Sequence, residues 1–342
     1  MHVAVDGRAL RPGTARARGV ARYLRSLLDE LSRAFPDDRY TLMDPGRARL
    51  AAAAVVGRPR LDRLAGGGDC DVVWLPAPAP AAVSSDLPYV LTVHDLSFEH
   101  RPRDYPLYDR LWHQLAHPVR LARGARLVLC DSEATRRAAI EEWGLAEDRT
   151  RTVLPGPGRP PAPSTGAPPP GLPEEFFLAV GALEPRKLPG VLADAHRRAR
   201  AEGLRAGLVF AGDGPLRGEL ERAGATVLGH TDDALLDALY ERAVALACVS
   251  REEGFGFTPL EALARGTPAI VSDLPVFDET LGDGALRVPP GDPGALAAAL
   301  LRLEREPELR DRLAAAGAEA VARLSWEEAA RATRAALAEA AA

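Results

Sequence analysis

Two carboxylates flanking a glycine turn, and one isolated ammonium group, are the residues of this chain with the clearest chemical meaning. The carboxylates are Glu253 and Glu261, in the block Ser250-Arg-Glu-Glu-Gly-Phe-Gly-Phe-Thr-Pro-Leu-Glu-Ala-Leu-Ala-Arg-Gly-Thr-Pro-Ala-Ile-Val-Ser272. The block follows an apolar run, Ala243–Val249, and leads into a helical stretch from about Pro259. Thr258 suits an N-cap, Pro259 the first helical position, and Glu261 closes a capping box three residues after the cap. Gly254 and Gly256 let the backbone approach a ligand with no Cβ in the way. Unpaired amides there, aided by the helix dipole, suit a diphosphate. Capping alone accounts for Glu261 but not for Glu253.

The ammonium group is Lys187. Of 43 basic residues, 42 are arginine and this one is lysine. The excess of arginine and alanine matches a bias toward GC-rich codons. A lysine that survives such a bias suits a role needing a compact point charge, with chance survival on a solvated turn as the plain alternative.

These residues need elements to hold them. Apolar runs alternate with helical stretches in both halves of the chain. In the first half the strand candidates are His2–Val5, Tyr40–Met43, Val72–Leu75, Tyr89–Val93 and Leu127–Cys130, with helical stretches such as Val20–Ala34 and Tyr108–Arg123 between them. The second half repeats the plan with Phe176–Val180, Leu208–Ala211, Thr226–Leu228, Ala243–Val249, Ala269–Val271 and Leu286–Val288. Alternation of this kind predicts an α/β fold, a mostly parallel sheet covered on both faces. Found twice, it predicts two doubly wound, Rossmann-like domains facing a cleft, with ligands beyond the carboxyl ends of the strands. Pro155 to Pro173 is rich in proline and glycine and reads as a semi-rigid linker. The expected division is residues 1–155, a linker at 156–173, a second domain at 174–324, and a C-terminal helix at 325–342 opened by a capping box at Ser325. That helix could pack on either domain.

Bulk properties narrow the class. A chain of 342 residues suggests two domains at about 150 residues each. The net charge of −5 argues against a nucleic-acid partner. Through Arg151 there are 23 basic and 20 acidic residues, and beyond it 20 and 28, so the halves carry +3 and −8. Cys70, Cys130 and Cys248 are odd in number and widely spaced, which suits reduced core residues of a cytoplasmic protein. The N-terminus shows no signal-peptide pattern, and no apolar run approaches the ~18 residues of a membrane span.

The block around Glu253 and Glu261 resembles the Glu-x7-Glu signature of retaining GT-B glycosyltransferases of family 4. The likeness takes in Gly254-Phe255-Gly256-Phe257-Thr258, Pro259, the Glu-Ala-Leu-Ala run, Gly266, Pro268 and Ser272. It implies that Glu253 contacts the hydroxyls of a donor sugar and Glu261 the ribose of its nucleotide. Gly181-Ala-Leu-Glu-Pro-Arg186-Lys187 resembles the family's Glu-Pro-Arg-Lys subgroup, mannosyltransferase-like, in which Arg186 and Lys187 neutralise the leaving diphosphate. The commoner version puts its arginine directly after the strand glycine, where this chain has Ala182. Cations at the opening of a helix oppose its dipole, which favours a functional over a merely solvated role.

Further positions follow the same resemblance. Gly212, in Phe210-Ala-Gly-Asp-Gly-Pro215, matches a strand-end glycine turn. His230 matches the segment lining the nucleobase pocket, with an exposed loop histidine as the equal alternative. Gly19, in Arg18-Gly-Val-Ala-Arg-Tyr23, matches the N-terminal glycine loop, although Ala21 replaces the second glycine. His94, after the strand Tyr89–Val93, lies in the family beside the reacting sugar; a satisfied strand-end histidine is the alternative. Asp69-Cys-Asp71 has the metal-binding pattern of another glycosyltransferase class. It precedes its strand rather than ending it, so it reads as a solvated turn and no metal or other cofactor is expected.

The activity so implied is retaining transfer of a hexose, of mannose or glucose type, from a nucleotide-diphosphate sugar to a hydroxyl of a glycan, lipid-linked or small-molecule acceptor. The alternatives are an epimerase or hydrolase of the same fold, or a silent nucleotide-sugar binding protein. An oxidoreductase would need Gly-x-Gly-x-x-Gly after the first strand, which is absent. Six arginines from Arg8 to Arg25, with Arg101, Arg103 and Arg110, form either a solvated face or a contact with an acidic acceptor or with an anionic membrane at its inner face.

Overall fold

The computed structural model describes residues 1–10, 18–43, 70–80, 87–159 and 171–342. These form two compact units, Met1–Gly156 with Leu324–Ala342, and Pro157–Arg323.

The first unit is built on the parallel strands β1 (His2–Asp6), β2 (Arg39–Met43), β3 (Val72–Leu75), β4 (Tyr89–Val93), β5 (Leu127–Cys130) and β6 (Thr150–Thr152). Their spatial order is β2-β1-β3-β4-β5-β6. Strands β3, β4 and β5 are wholly buried and read as continuous apolar runs, as expected of strands covered on both faces. The sequence pattern overlooks β6. Its Thr-Arg-Thr composition carries no apolar run, and its place at the sheet edge does not demand one.

The expected helix Tyr108–Arg123 is two helices, Leu107–Ala116 and Pro118–Gly124. The break falls at His117, held at φ +46° ahead of a proline, where the next residue's ring disfavours helical backbone. The last helix, Trp326–Ala341, belongs to this first unit. Ser325 caps it by accepting from the Glu328 amide at 3.3 Å. Trp326 packs against Tyr23 and fills the space over Gly156, where a Cβ would fall 2.4 Å from the indole ring. Arg334 donates to Asp38 at 3.0 Å and lies over the Phe35 ring.

The second unit contains β7 (Phe176–Val180), β8 (Gly207–Ala211), β9 (Thr226–Gly229), β10 (Ala245–Cys248), β11 (Ala269–Ser272) and β12 (Ala285–Val288), all parallel, in the order β12-β11-β10-β7-β8-β9. Strand order reverses between β7 and β10, which pair directly. Adjacent loops diverge at such a switch point and leave a crevice at the carboxyl ends. The boundary between units falls at 156–157, so Pro157–Arg159, expected in the linker, are packed into the second unit.

Leu337 is fully buried in the first unit. Leu337→Ala should lower unfolding stability by about 2–5 kcal/mol, measured by urea denaturation. A loss below about 0.5 kcal/mol would show that the C-terminal helix is dispensable to that unit.

Candidate functional site

Loops from β7 and β10 meet at the switch point of the second unit. After β7, Gly181 adopts φ +130° and lies flat against Gly212, where a Cβ would fall 1.8 Å from the Gly181 carbonyl oxygen. A Cβ on Gly214 would fall 2.7 Å from the Leu183 carbonyl oxygen, and the Leu183 amide donates to the Asp213 carbonyl at 3.1 Å. These contacts direct the chain into a 3-10 turn, Pro185–Lys187. Leu188 then sits at φ +49°, and a helix starts at Pro189. Arg186 and Lys187 are therefore not in the first turn of that helix, as expected from sequence, but in a separate turn before it. The left-handed Leu188 breaks the backbone path between the two, so the dipole argument for these cations does not apply in its simple form.

Lys187 Nζ donates to Glu253 Oε1 at 2.5 Å, and the Ser250 hydroxyl donates to the same oxygen at 2.6 Å. The lysine side chain is one-quarter exposed and the glutamate about one-eighth, so the pair is only partly open to water. Ser250 is fixed in turn, its amide donating to Ser272 Oγ at 2.9 Å. The Arg251 amide donates to the Arg186 carbonyl at 3.0 Å, which ties the two loops by their main chains. Arg186 Nε donates to Glu184 at 3.2 Å. Cys248, at the end of β10, lies beside Glu253; burial, then the nearby carboxylate, push its thiol up to about 12, so it is inert as a nucleophile at neutral pH.

The helix carrying the second carboxylate runs Phe257–Leu263 and is capped by Gly256 at φ +90°. A Cβ on Gly256 would fall 2.6 Å from the Phe277 ring. Thr258 is thus not the N-cap, and Glu261 closes no capping box: the left-handed glycine starts the helix before Thr258. Glu261 is buried instead, accepting from the Tyr240 hydroxyl at 3.3 Å and the Arg159 amide at 3.5 Å. Phe255 is a core residue, edge-on to Phe257, and Gly254 is also buried. His230, after β9, is exposed.

In the first unit, polar residues gather at the ends of β1, β4 and β5. His94 Nδ1 meets Asp131 Oδ2 at 2.5 Å, and Nε2 meets the Pro76 carbonyl at 2.7 Å. A carbonyl only accepts, so Nε2 carries a proton, and the carboxylate favours one on Nδ1. Burial favours the neutral ring, but Asp131, by charge and hydrogen bond, and the Pro76 carbonyl outweigh it and raise the pKa. Both nitrogens are engaged, a geometry that favours the protonated ring.

Arg8, counted among the solvated arginines, is buried. Its guanidinium clasps Asp6, donates to the Pro80 carbonyl at 3.1 Å and lies over Trp112. Of the others, Arg22 is half-buried and Arg25 exposed, while the Arg18 side chain and residues Arg11 and Arg16 lie outside the description. Gly19 sits in the first turn of the helix Arg18–Ala34, with no atom within 4 Å of where its Cβ would be. Asp69 lies outside the described residues; Asp71 precedes β3 and accepts from the His2 amide at 2.7 Å.

Two family comparisons cover most of the chain. The family described as "Glycosyltransferase Family 4" matches residues 17–156, and "Glycosyl transferases group 1" matches residues 168–320. This chain belongs to the family 4 glycosyltransferases. A phosphatidyl-myo-inositol mannosyltransferase of Mycobacterium leprae is 40% identical over 152 residues, 42% of this chain and 40% of the relative. The match thus spans less than half of that relative's length. O-antigen chain mannosyltransferase B of Escherichia coli is 28% identical over 258 residues, 70% of this chain and 67% of the relative. Among solved structures, Anabaena HepE in complex with UDP-glucose superposes with a TM-score of 0.71 at 18% identity, covering 99% of this chain and 100% of that one. The fold of this family 4 glycosyltransferase is accordingly GT-B.

Within the second unit the structure brings Arg186, Lys187, Glu253, Gly181 and Gly212 together around the switch point. His94 and Gly19 belong to the first unit. Sequence reasoning overlooked Ser250, Asp131, Arg159, Asp237 and Arg265. Asp131 carried a usable signal, an acid directly after an apolar strand. Asp237 carried another, an acid on the apolar face of a helix between Leu236 and Tyr240.

The His94 geometry has a pH signature. A raised folded pKa stabilises the fold fully below the unfolded value of about 6.5, and that stabilisation is lost as pH rises through the folded value. NMR titration of ring-labelled protein should find His94 still protonated where a free histidine is half-neutral. His113, whose pKa burial lowers, should lose its proton at lower pH. A His94 that titrates below about 6.5 would contradict the stabilisation of the protonated ring by Asp131 and the Pro76 carbonyl.

Proposed function

We propose that this chain transfers a hexose, of mannose or glucose type, from a nucleotide-diphosphate sugar to a hydroxyl of a glycan, lipid-linked or small-molecule acceptor. In this proposal the anomeric configuration is retained and no metal is required. The observation that carries it is the meeting of Lys187 with Glu253 at the β7/β10 switch point. The two mannosyltransferase relatives favour mannose, and the structural neighbour bound to UDP-glucose favours a nucleotide-sugar donor.

The proposed chemistry uses groups already in place. The diphosphate takes Lys187 as its counter-ion, with Arg186 beside it. Glu253, relieved of the ammonium group, accepts hydrogen bonds from the sugar, and Ser250 keeps it oriented. Glu261 accepts from the ribose. The bond between the anomeric carbon and the diphosphate oxygen breaks. The acceptor oxygen bonds to the same face of that carbon, and its proton passes to the leaving phosphate. Fixed cations stabilise the charge that develops on the diphosphate without reorganising. His94, with its ring held by Asp131 and the Pro76 carbonyl, lies beside the reacting sugar in this proposal.

An anionic membrane is part of the same proposal, now centred away from the arginines of the first helix. Leu107, Tyr108 and Leu111 are 67%, 62% and 50% exposed on one helix, and Arg101, Arg103 and Arg110 are exposed on and just before it. Apolar side chains flanked by arginines suit the headgroup boundary of an anionic bilayer. No helix among the described residues is long and apolar enough to cross a membrane.

Two experiments test this. In a thermal-shift series of nucleoside diphosphates, the preferred one at about 100 times its Kd should raise the melting temperature by on the order of 5 °C. Lys187→Ala should abolish that shift and cut turnover at least ~100-fold, with the ligand-free melt within a few degrees of wild type; wild-type-like transfer would overturn the assignment. In vesicle sedimentation, the protein should favour anionic over neutral phosphatidylcholine vesicles, and Leu107→Asp with Leu111→Asp should remove the preference. Equal sedimentation with both vesicle types would remove the membrane from the proposal.

A further inference from the structure

Glu261 does not stand alone in the second unit. It adjoins an ion cluster centred on Asp237, a carboxylate with no exposed surface although it lies within the helix Asp233–Arg242. Arg159 donates from Nη1 to Asp237 Oδ2 at 2.8 Å and from Nη2 to Oδ1. The same Nη2 donates to the Asp233 carbonyl at 3.2 Å. From the opposite side Arg265 Nε donates to Oδ1 at 2.5 Å. Arg265 also donates to the Glu261 carbonyl at 2.8 Å and lies over the Tyr240 ring at 5.3 Å. Two guanidinium groups thus balance two buried carboxylates, Asp237 and Glu261.

The geometry links this cluster to the Glu261 carboxyl by two routes. Through Arg265 it sets the Tyr240 ring, whose hydroxyl donates to Glu261 Oε2. Through Arg159 it holds the segment Gly158–Arg159 over the other carboxylate oxygen. Gly158 adopts φ +88°, and a Cβ there would fall 2.6 Å from Glu261 Cγ. The segment is therefore seated against this side chain at a distance only glycine allows. The Tyr240 hydroxyl at 3.3 Å and the Arg159 amide at 3.5 Å thus meet the carboxyl on different oxygens, so the cluster bears on the orientation of the Glu261 side chain from both.

We propose that Arg159 is a positioning residue for ribose recognition, acting through Asp237 and its own main chain to hold Glu261 in the orientation that pairs with a ribose diol. This rests on the role proposed above for Glu261. It assigns to the start of the inter-unit segment a part in selecting ribonucleotides, in addition to connecting the two units. A guanidinium fork is needed because it spans both Asp237 oxygens and the Asp233 carbonyl at once, which an ammonium group does less well.

The test compares the preferred nucleoside diphosphate with its 2′-deoxy and 3′-deoxy forms, by calorimetric titration of the full chain. Wild type should prefer the ribo form, and Glu261→Gln should lose most of that preference. Arg159→Ala should cut the preference about tenfold, on the scale of one charge-assisted hydrogen bond, and Arg159→Lys should fall between. A purely structural role would weaken all three ligands alike and leave their ratio unchanged. If Glu261→Gln loses the preference while both Arg159 variants keep it, the positioning role is wrong and the ribose role of Glu261 stands. Tighter binding of the ribo form by Arg159→Ala would also overturn the proposal, since the segment would then be a cover that ligand displaces. If Glu261→Gln keeps the preference, the ribose role fails and this inference with it.

Discussion

The contact between Lys187 and Glu253 depends on a constraint of parallel sheets, and much of the second unit serves it. Two neighbouring parallel strands send their loops apart only where the strand order reverses, because right-handed crossovers then run in opposite directions. In this unit that happens once, between β7 and β10. Lys187 leaves one of those strands and Glu253 the other, so sheet topology brings them together across 66 residues of sequence. The close glycine contacts at Gly181, Gly212 and Gly214 flatten the first loop, and Ser250 and Ser272 stiffen the second. A partly exposed pair of this kind contributes little to stability. Under the proposed function its value lies in holding a cation and an anion ready, each able to exchange its partner for a group on a ligand.

The first unit uses strand ends differently. Its charges are closed on themselves: Arg8 on Asp6 and the Pro80 carbonyl, His94 on Asp131 and the Pro76 carbonyl. Taking such groups out of water is costly unless each finds its partners, and these do. The result is a set of strand ends whose charges are matched in pairs, Arg8 with Asp6 and His94 with Asp131.

Much of the fold was legible because buried parallel strands leave apolar runs, and of the twelve described strands the sequence pattern overlooked one. The exception, β6, is an edge strand that needs no such run. Helix ends were less legible. His117 and Leu188 adopt left-handed backbone without being glycine, and no local pattern announces that. Thr258 had the right type for an N-cap, but Gly256 preceded it and the Phe277 ring fixed the geometry from elsewhere in the chain. Site residues belonging to a contiguous motif were legible for the same reason as the strands. Asp237, Arg159 and Arg265 were not, because the cluster exists only once a helix, the inter-unit segment and the turn after a second helix converge.

The displaced cap also bears on what Glu261 is for. Had Thr258 capped the helix, Glu261 would have faced back along the chain, and helix formation would have explained its presence. With Gly256 as the cap, the helix start makes no demand on a carboxylate at 261. The carboxylate is buried beside Asp237, Arg159 and Arg265 instead, and a buried carboxyl is costly unless such partners are at hand. Under the proposed function, ribose recognition is the demand that places a carboxylate at 261, and the surrounding ions set the orientation in which it is held.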